Sequence, residues 1–158
     1  THREDPRYPG SMDFDWVHNW ELARGCIRGV IEQTGVDPHD IAAVSTTCMR
    51  EGIVLYDKDG REIWACANVD ARSDDEVAQL VHMNPELEKQ IYRESGQTYA
   101  LGALPRLFWV KNKMPEVYEK TALCTMFNDW LIYKMTGVFR AFQCLHHRHF
   151  RSQGARLG

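Results

Sequence analysis

GIVLYDKDGREIWACA, residues 52–67, predicts a β-hairpin. Two runs rich in β-branched, aromatic and other apolar residues, 52–56 and 62–67, flank the turn sequence DKDG at 57–60. Two such runs joined by a short polar turn, with Gly in the left-handed position, are typical of hairpins. The rest of the fold is predicted outward from this pair of strands.

Helices and two further strands are predicted around the hairpin. Residues 41–47 (IAAVSTT) are apolar on both faces, which predicts a strand buried in a sheet. Apolar residues recur at helical spacing over 15–33, and Gly35 follows as a C-terminal stop. Other predicted elements are helices near 85–93, 103–113, 115–119 and 128–135 and a strand over 121–126. Strands interleaved with helices indicate an α/β domain.

Two local patterns concern the ends of elements. Ser73 followed by Glu76 matches a capping box and predicts a helix that runs to about Met83. The polar, Pro-rich residues 1–10 (THREDPRYPG) predict no regular element.

Composition narrows the class of protein. A chain of 158 residues with 44% hydrophobic side chains falls in the range of a single domain. The formal net charge of −3 argues against nucleic acid or an anionic membrane as partner. We expect a cytoplasmic protein, because neither a leader nor an apolar run of roughly 20 residues occurs. The odd number of cysteines, without a C-x-x-C pair, suggests reduced, mostly buried thiols: Cys26, Cys48, Cys66, Cys124 and Cys144.

The charge changes abruptly after Gly137. Residues 138–158 contain four Arg, three His and no acidic residue, which leaves 15 basic and 22 acidic residues in 1–137. We therefore predict a domain over 1–137 and an out-of-frame or foreign tail over 138–158. A native basic arm is the alternative.

Two polar loops next to the hairpin are candidate binding sites. Arg50 and Glu51 follow the predicted strand at 41–47, and ligands of open α/β sheets gather at such loops. Together they offer five donors and a strong acceptor, as a polyol requires, although an exposed Arg-Glu pair is also common on surfaces. In the second loop, Asp70 either accepts a bond from a substrate hydroxyl or pairs with Arg72 to brace the loop.

The order of these blocks resembles the amino-terminal domain of the FGGY family of carbohydrate kinases. The blocks are SMDFDWVHNW (11–20), MREGIVLYDKDG (49–60), IWACANVDARS (63–73) and NDWLIYKMTG (128–137). Within the family they look most like kinases of a small linear quorum-sensing sugar derivative. The resemblance covers residues 1–137.

The resemblance implies an α/β fold, part of an RNase H-like (actin-like ATPase) domain that lacks its first strands and the second domain. It also implies ATP, Mg²⁺ and transfer of the γ-phosphoryl group to a hydroxyl of a small sugar-like substrate. Arg50, Glu51, Asp70 and Arg72 match the family's substrate-binding positions. Asn68 stands where the family has Trp, Arg106 where Lys is usual, and Ala103 where Pro, Ser or Thr is usual.

The family's Gly-rich phosphate turn does not occur in the sequence, and its catalytic aspartate is expected beyond residue 158. We therefore expect no catalytic residue here, poor binding of ATP and Mg²⁺, and no turnover by the chain alone. A non-catalytic remnant or sugar- or partner-binding domain is the alternative, and another member of the actin-like superfamily is a third reading.

Two other kinds of site are weaker candidates. The histidine tract HHRH at 146–149 offers poor geometry for a closed metal site. Cys48 lies near Arg50, but no motif supplies a histidine to activate it as a nucleophile.

Overall fold

The structure, a computed structural model, describes residues 2–139. The strands are β1 (His2–Arg3), β2 (Asp13–Phe14), β3 (Ile53–Tyr56), β4 (Glu62–Cys66) and β5 (Leu123–Met126). The helices are α1 (Trp16–Thr34), α2 (Asp74–Met83), α3 (Leu87–Ser95), α4 (Ala103–Lys113), α5 (Pro115–Lys120) and α6 (Phe127–Thr136). Short 3₁₀ turns lie at Pro38–Asp40 and Tyr99–Leu101.

The hairpin predicted from residues 52–67 is confirmed as β3 and β4. Ile53 pairs with Cys66, and the antiparallel register continues towards the turn. At the turn, Asp57 Oδ1 accepts the backbone N–H groups of Asp59 and Arg61 at 2.9 Å each. Gly60 closes the turn at φ 78°, a left-handed conformation that a glycine adopts without steric cost.

Within residues 2–139, the five strands form one antiparallel sheet in the order β1-β2-β4-β3-β5. Cys66 at the end of β4 faces both Ile53 at the start of β3 and Asp13 in β2. Ile53 also faces Met126, the last residue of β5. The loops before β3 and after β4 and the start of α6 therefore emerge at the same end of the sheet.

Alternate residues of the hairpin face opposite layers, as the period of a strand requires. On one face, Ile53 and Leu55 pack with Trp64 and with α4 residues such as Trp109. On the other face lie Phe14, Val54, Tyr56, Ala65, Phe127 and Trp130. Every residue of β3 is buried. This strand is the centre of the core.

Helix α1 is present where the periodicity predicts it, but it is little covered. Asp15 caps its N-terminus by accepting the His18 N–H at 2.9 Å, and Gly35 ends it at φ 66°. None of its residues is buried, and Val30 is 59% exposed. Trp16 and Trp20, near its start, pack against the aromatic layer on the second face. Within residues 2–139, no helix combines the length and apolar character needed to cross a membrane.

The predicted buried strand over 41–47 is wrong. These residues form no ladder, and Ile41 and Val44 are 42% and 63% exposed. The apolar pattern alone does not make a strand, because a strand needs a neighbour to pair its backbone groups. No strand among residues 2–139 lies alongside this segment.

The helix predicted after Ser73 is confirmed as α2, which ends at Met83, but two local details at element ends are wrong. Ser73 precedes α2, but its side chain makes no capping bond, and Glu76 instead enters the core and accepts a bond from Asn112 Nδ2 at 3.2 Å. In the stretch 1–10, His2–Arg3 form the short strand β1 against β2. Both outcomes depend on tertiary contacts that lie outside the local pattern.

Phe139, two residues after Gly137, contacts the core. Phe139 is stacked on Tyr133 with ring centroids 3.6 Å apart and meets Tyr56 edge-on at 4.8 Å. The rest of the predicted tail, residues 140–158, lies outside the described residues. The tail's foreign origin and the boundary at Gly137 stay predictions.

Two truncated chains distinguish the contribution of Phe139 to stability from that of the residues after it. Ending the chain after Phe139 should leave the melting temperature nearly unchanged. Ending it after Gly137 removes an aromatic contact worth about 1–2 kcal/mol. We expect this second truncation to lower the melting temperature by about 3–6 °C. Equal melting temperatures of the two truncated chains would show that Phe139 contributes nothing, and a large loss in the longer one would place the tail in the core.

Candidate substrate-binding site

The loop that carries Arg50 and Glu51 is held in an unusual backbone conformation. Arg50 is exposed and Glu51 is half-buried. Among the described non-glycine residues, Glu51 alone has a positive φ, of 69°. The left-handed region costs a residue with a Cβ about 1–2 kcal/mol. Neighbouring contacts must therefore hold Glu51 in this conformation.

Gly52 fixes the loop from the sheet side. A Cβ atom at this position would lie 2.6 Å from the ring of Phe127. Backbone and ring are therefore so close that no side chain fits between them. Since Gly52 leads directly into the buried strand β3, the loop has little freedom to shift.

The loop after β4 is organised by a buried carboxylate. The side chain of Asp70 is fully buried, and its Oδ2 accepts the backbone N–H of Met12 at 2.6 Å. Its two oxygens also accept bonds from Arg72 Nε, at 3.0 and 2.8 Å. Asp70 thus pairs with Arg72 and braces the loop, which is one of the two roles that the sequence left open for it.

Arg72 connects this carboxylate to a second one. Its guanidinium also pairs with Asp13, whose side chain is 43% exposed. The guanidinium lies against the rings of Trp64 and Trp109, with its central carbon 5.2 and 5.0 Å from the ring centroids. Burial is the largest single influence on the pKa of Arg72 and lowers it. The hydrogen bonds and charges of Asp70 and Asp13 together outweigh burial, so the pKa is raised. Arg72 therefore stays charged.

Arg106 joins the two loops. From α4, this buried side chain donates from one terminal nitrogen to the Glu51 carbonyl at 2.6 Å. Its other terminal nitrogen donates to the carbonyls of Asn68 and Asp70, at 2.8 and 3.3 Å. One guanidinium thus contacts the backbone of both predicted binding loops.

The four predicted site residues therefore lie at one end of the sheet but differ in availability. Arg50 and Glu51 are accessible, whereas Asp70 and Arg72 are buried in each other's contacts. Sequence reasoning missed Asp13 as a partner of Arg72. Arg106 was noted only because it stands where the family usually has Lys. That departure was the one feature of the sequence that pointed to a special role for Arg106.

The other candidates gain no support from the described residues. Within 2–139, no group of three His, Cys, Asp or Glu side chains is arranged to hold a metal ion. The histidine tract at 146–149 lies outside this range. Burial raises the pKa of the Cys48 thiol, which disfavours a nucleophilic thiolate. All four described cysteines are free thiols: Cys66 is buried, Cys48 and Cys124 are partly buried and Cys26 is exposed, so the expectation of mostly buried thiols holds only in part.

Comparison with known proteins shows which protein family the chain belongs to. A family model described as the N-terminal domain of the FGGY family of carbohydrate kinases matches residues 2–144. The chain belongs to this family. The match runs past Gly137, where the sequence predicts the end of the domain.

Two curated relatives of the chain are autoinducer-2 kinases. The chain is 48% identical over 137 residues to autoinducer-2 kinase of Escherichia coli strain SMS-3-5, covering 86% of this chain and 26% of the relative. The corresponding identity with autoinducer-2 kinase of Salmonella paratyphi B is 46%. The chain thus spans about a quarter of the length of these relatives.

Solved structures of sugar kinases share the fold. Xylulose kinase from Lactobacillus acidophilus matches with a TM-score of 0.72 and 19% identity, over 87% of this chain and 28% of that one. Plasmodium falciparum glycerol kinase matches with a TM-score of 0.67 and 19% identity, over the same shares. These neighbours have the actin-like ATPase fold, which confirms the predicted fold class.

The contacts of Asp70 lead to a stability prediction. Asp70→Asn keeps the shape but removes the charge that balances buried Arg72, and breaking such a pair costs about 3 kcal/mol. Urea unfolding should therefore show a clearly lower midpoint. Glu21→Gln is the matched control, because the Glu21–Arg24 pair is also close, at 2.8 Å, but exposed. It should cost about 0.5 kcal/mol or less. Similar losses in both variants would contradict the bracing role.

Proposed function

We propose that this chain forms the sugar-binding part of a cytoplasmic, ATP-dependent kinase that phosphorylates a hydroxyl of autoinducer-2. The observation that carries the proposal is the identity of 46–48% over 137 residues with autoinducer-2 kinases. An alignment of that length within 158 residues necessarily includes both candidate loops.

The geometry of the site supports contact with a small polyol. Arg50 presents a donor-rich side chain and Glu51 an acceptor, on a loop whose backbone is fixed from both sides. Each sugar hydroxyl donates and accepts, so a charged donor beside a charged acceptor suits it. In this proposal Asp70 and Arg72 brace the loop that follows β4. The exposed part of the Asp13 side chain is a further acceptor for a sugar hydroxyl.

We assign neither the nucleotide nor its metal to the described residues. Within 2–139 there is no cluster of acidic or other ligating side chains for Mg²⁺. The sequence contains no Gly-rich phosphate turn either. No step of phosphoryl transfer is therefore assigned to these residues, and their proposed role is to bind and orient the sugar.

A chimeric enzyme tests the proposal. Residues 2–137 would replace the matching segment of autoinducer-2 kinase from Escherichia coli K12, which is 47% identical. We expect release of ADP with autoinducer-2, and much less with xylulose or glycerol. The unmodified kinase is the positive control, and the chain alone is expected to be inactive. A folded chimera that binds ATP but phosphorylates no sugar, or prefers xylulose, would refute the proposed function.

Within that chimera, Arg50→Ala and Glu51→Ala should each weaken use of the sugar. Losing a hydrogen bond to a charged group costs about 1.5–3 kcal/mol, or roughly ten- to hundred-fold in the KM for sugar. The KM for ATP should hardly change. Lys58→Ala is the control, because this exposed residue lies in the turn at the opposite end of β3. Normal sugar kinetics in both variants, or a loss confined to ATP, would mean that the pair is not a substrate contact.

A further inference from the structure

We propose that Arg106 is a positioning residue that aims Glu51 at the sugar. Glu51 has a positive φ, and its carbonyl accepts the 2.6 Å bond from Arg106. The φ angle of a residue sets the direction of its own Cβ and therefore of its side chain. The link to sugar binding rests on the proposed function, whereas the link to the loop backbone does not.

The fork of a guanidinium suits this position. Arg106 directs one terminal nitrogen to Glu51 and the other to the carbonyls of Asn68 and Asp70. An arginine presents its donors in a rigid plane, whereas a lysine offers one compact charged group at the end of a flexible stem. A lysine at this position cannot reproduce the planar fork that bonds both loops together.

The bond from Arg106 acts directly on the backbone of Glu51, whereas the residues on either side restrain the loop less directly. Gly52, the next residue, is pressed against the ring of Phe127 and leads into the buried strand. Arg50 on the other side is exposed. Without the bond to Arg106, rotation about the Glu51 backbone back to negative φ relieves strain, and this rotation turns the carboxylate away from its position.

Limited proteolysis of the 158-residue chain tests the backbone claim without any activity. Trypsin cleaves the Arg50–Glu51 bond, and the Arg24–Gly25 bond in α1 is an internal reference. Arg106→Lys keeps the buried charge and is therefore preferable to truncation. We expect it to raise the ratio of the two cleavage rates by about five-fold or more, because the loop opens locally.

Asn112→Ala is the matched control for this experiment. It removes a 3.2 Å side-chain bond from the same helix, to Glu76, without touching either loop. The cleavage ratio should stay at the wild-type value. An unchanged ratio in Arg106→Lys, or an equal rise in both variants, would overturn the proposal.

A double-mutant cycle in the chimera tests the effect on the sugar. Arg106 bonds to the backbone of Glu51, so Glu51→Ala leaves that bond in place. If Arg106 acts by aiming the carboxylate, Arg106→Lys raises the KM for sugar in the wild type but adds little in the Glu51→Ala background. The losses in melting temperature should instead add.

The outcomes distinguish the two proposals. KM effects that multiply fully would show that Arg106 acts by another route and would overturn the positioning role. A folded chimera that binds ATP but phosphorylates no sugar would refute the proposed function, and the cleavage ratio would still decide whether Arg106 holds the loop. A changed cleavage ratio together with a non-additive KM supports both.

Discussion

The antiparallel pairing of Ile53 with Cys66 determines where the candidate site lies. Because the two strands run in opposite directions, the start of β3 and the end of β4 must meet at one end of the sheet. The same pairing brings Asp13 alongside Cys66. A slip of one residue in this register would exchange the two faces of the sheet and separate the loops from their partners.

Two buried arginines then hold together the loops that this strand register places side by side. Arg72 joins two carboxylates, and Arg106 joins three backbone carbonyls of two loops. Burying a charge is costly unless it is paired and hydrogen-bonded, so such groups define a single arrangement of their neighbours. At this end of the sheet the polar contacts specify geometry, while the apolar layers around β3 provide most of the stabilisation.

Features that depend on neighbours along the chain could be predicted from the sequence. The hairpin follows from its turn, α1 from its periodicity and stop signal, and the fold class from the order of short blocks. The predictions over 41–47 and for Glu76 were wrong because a pairing partner and a burial site are properties of the tertiary structure. The contact of Arg106 with Glu51 spans 55 residues, and that of Arg72 with Asp13 spans 59. No local pattern encodes such contacts.

The sparse covering of α1 has a consequence for how the chain opens. The helix is secured near its N-terminus by the Asp15 cap and the partly packed Trp16 and Trp20, while Gly25 and Gly29 lie in its remainder, where no residue is buried. Each glycine costs about 1 kcal/mol relative to alanine, and isolated helices shorter than about 12–15 residues are marginal in water. Amide hydrogen exchange should therefore rise steeply from the first turns of α1 to its end. We expect α1 to fray from its C-terminal end while the hairpin remains intact.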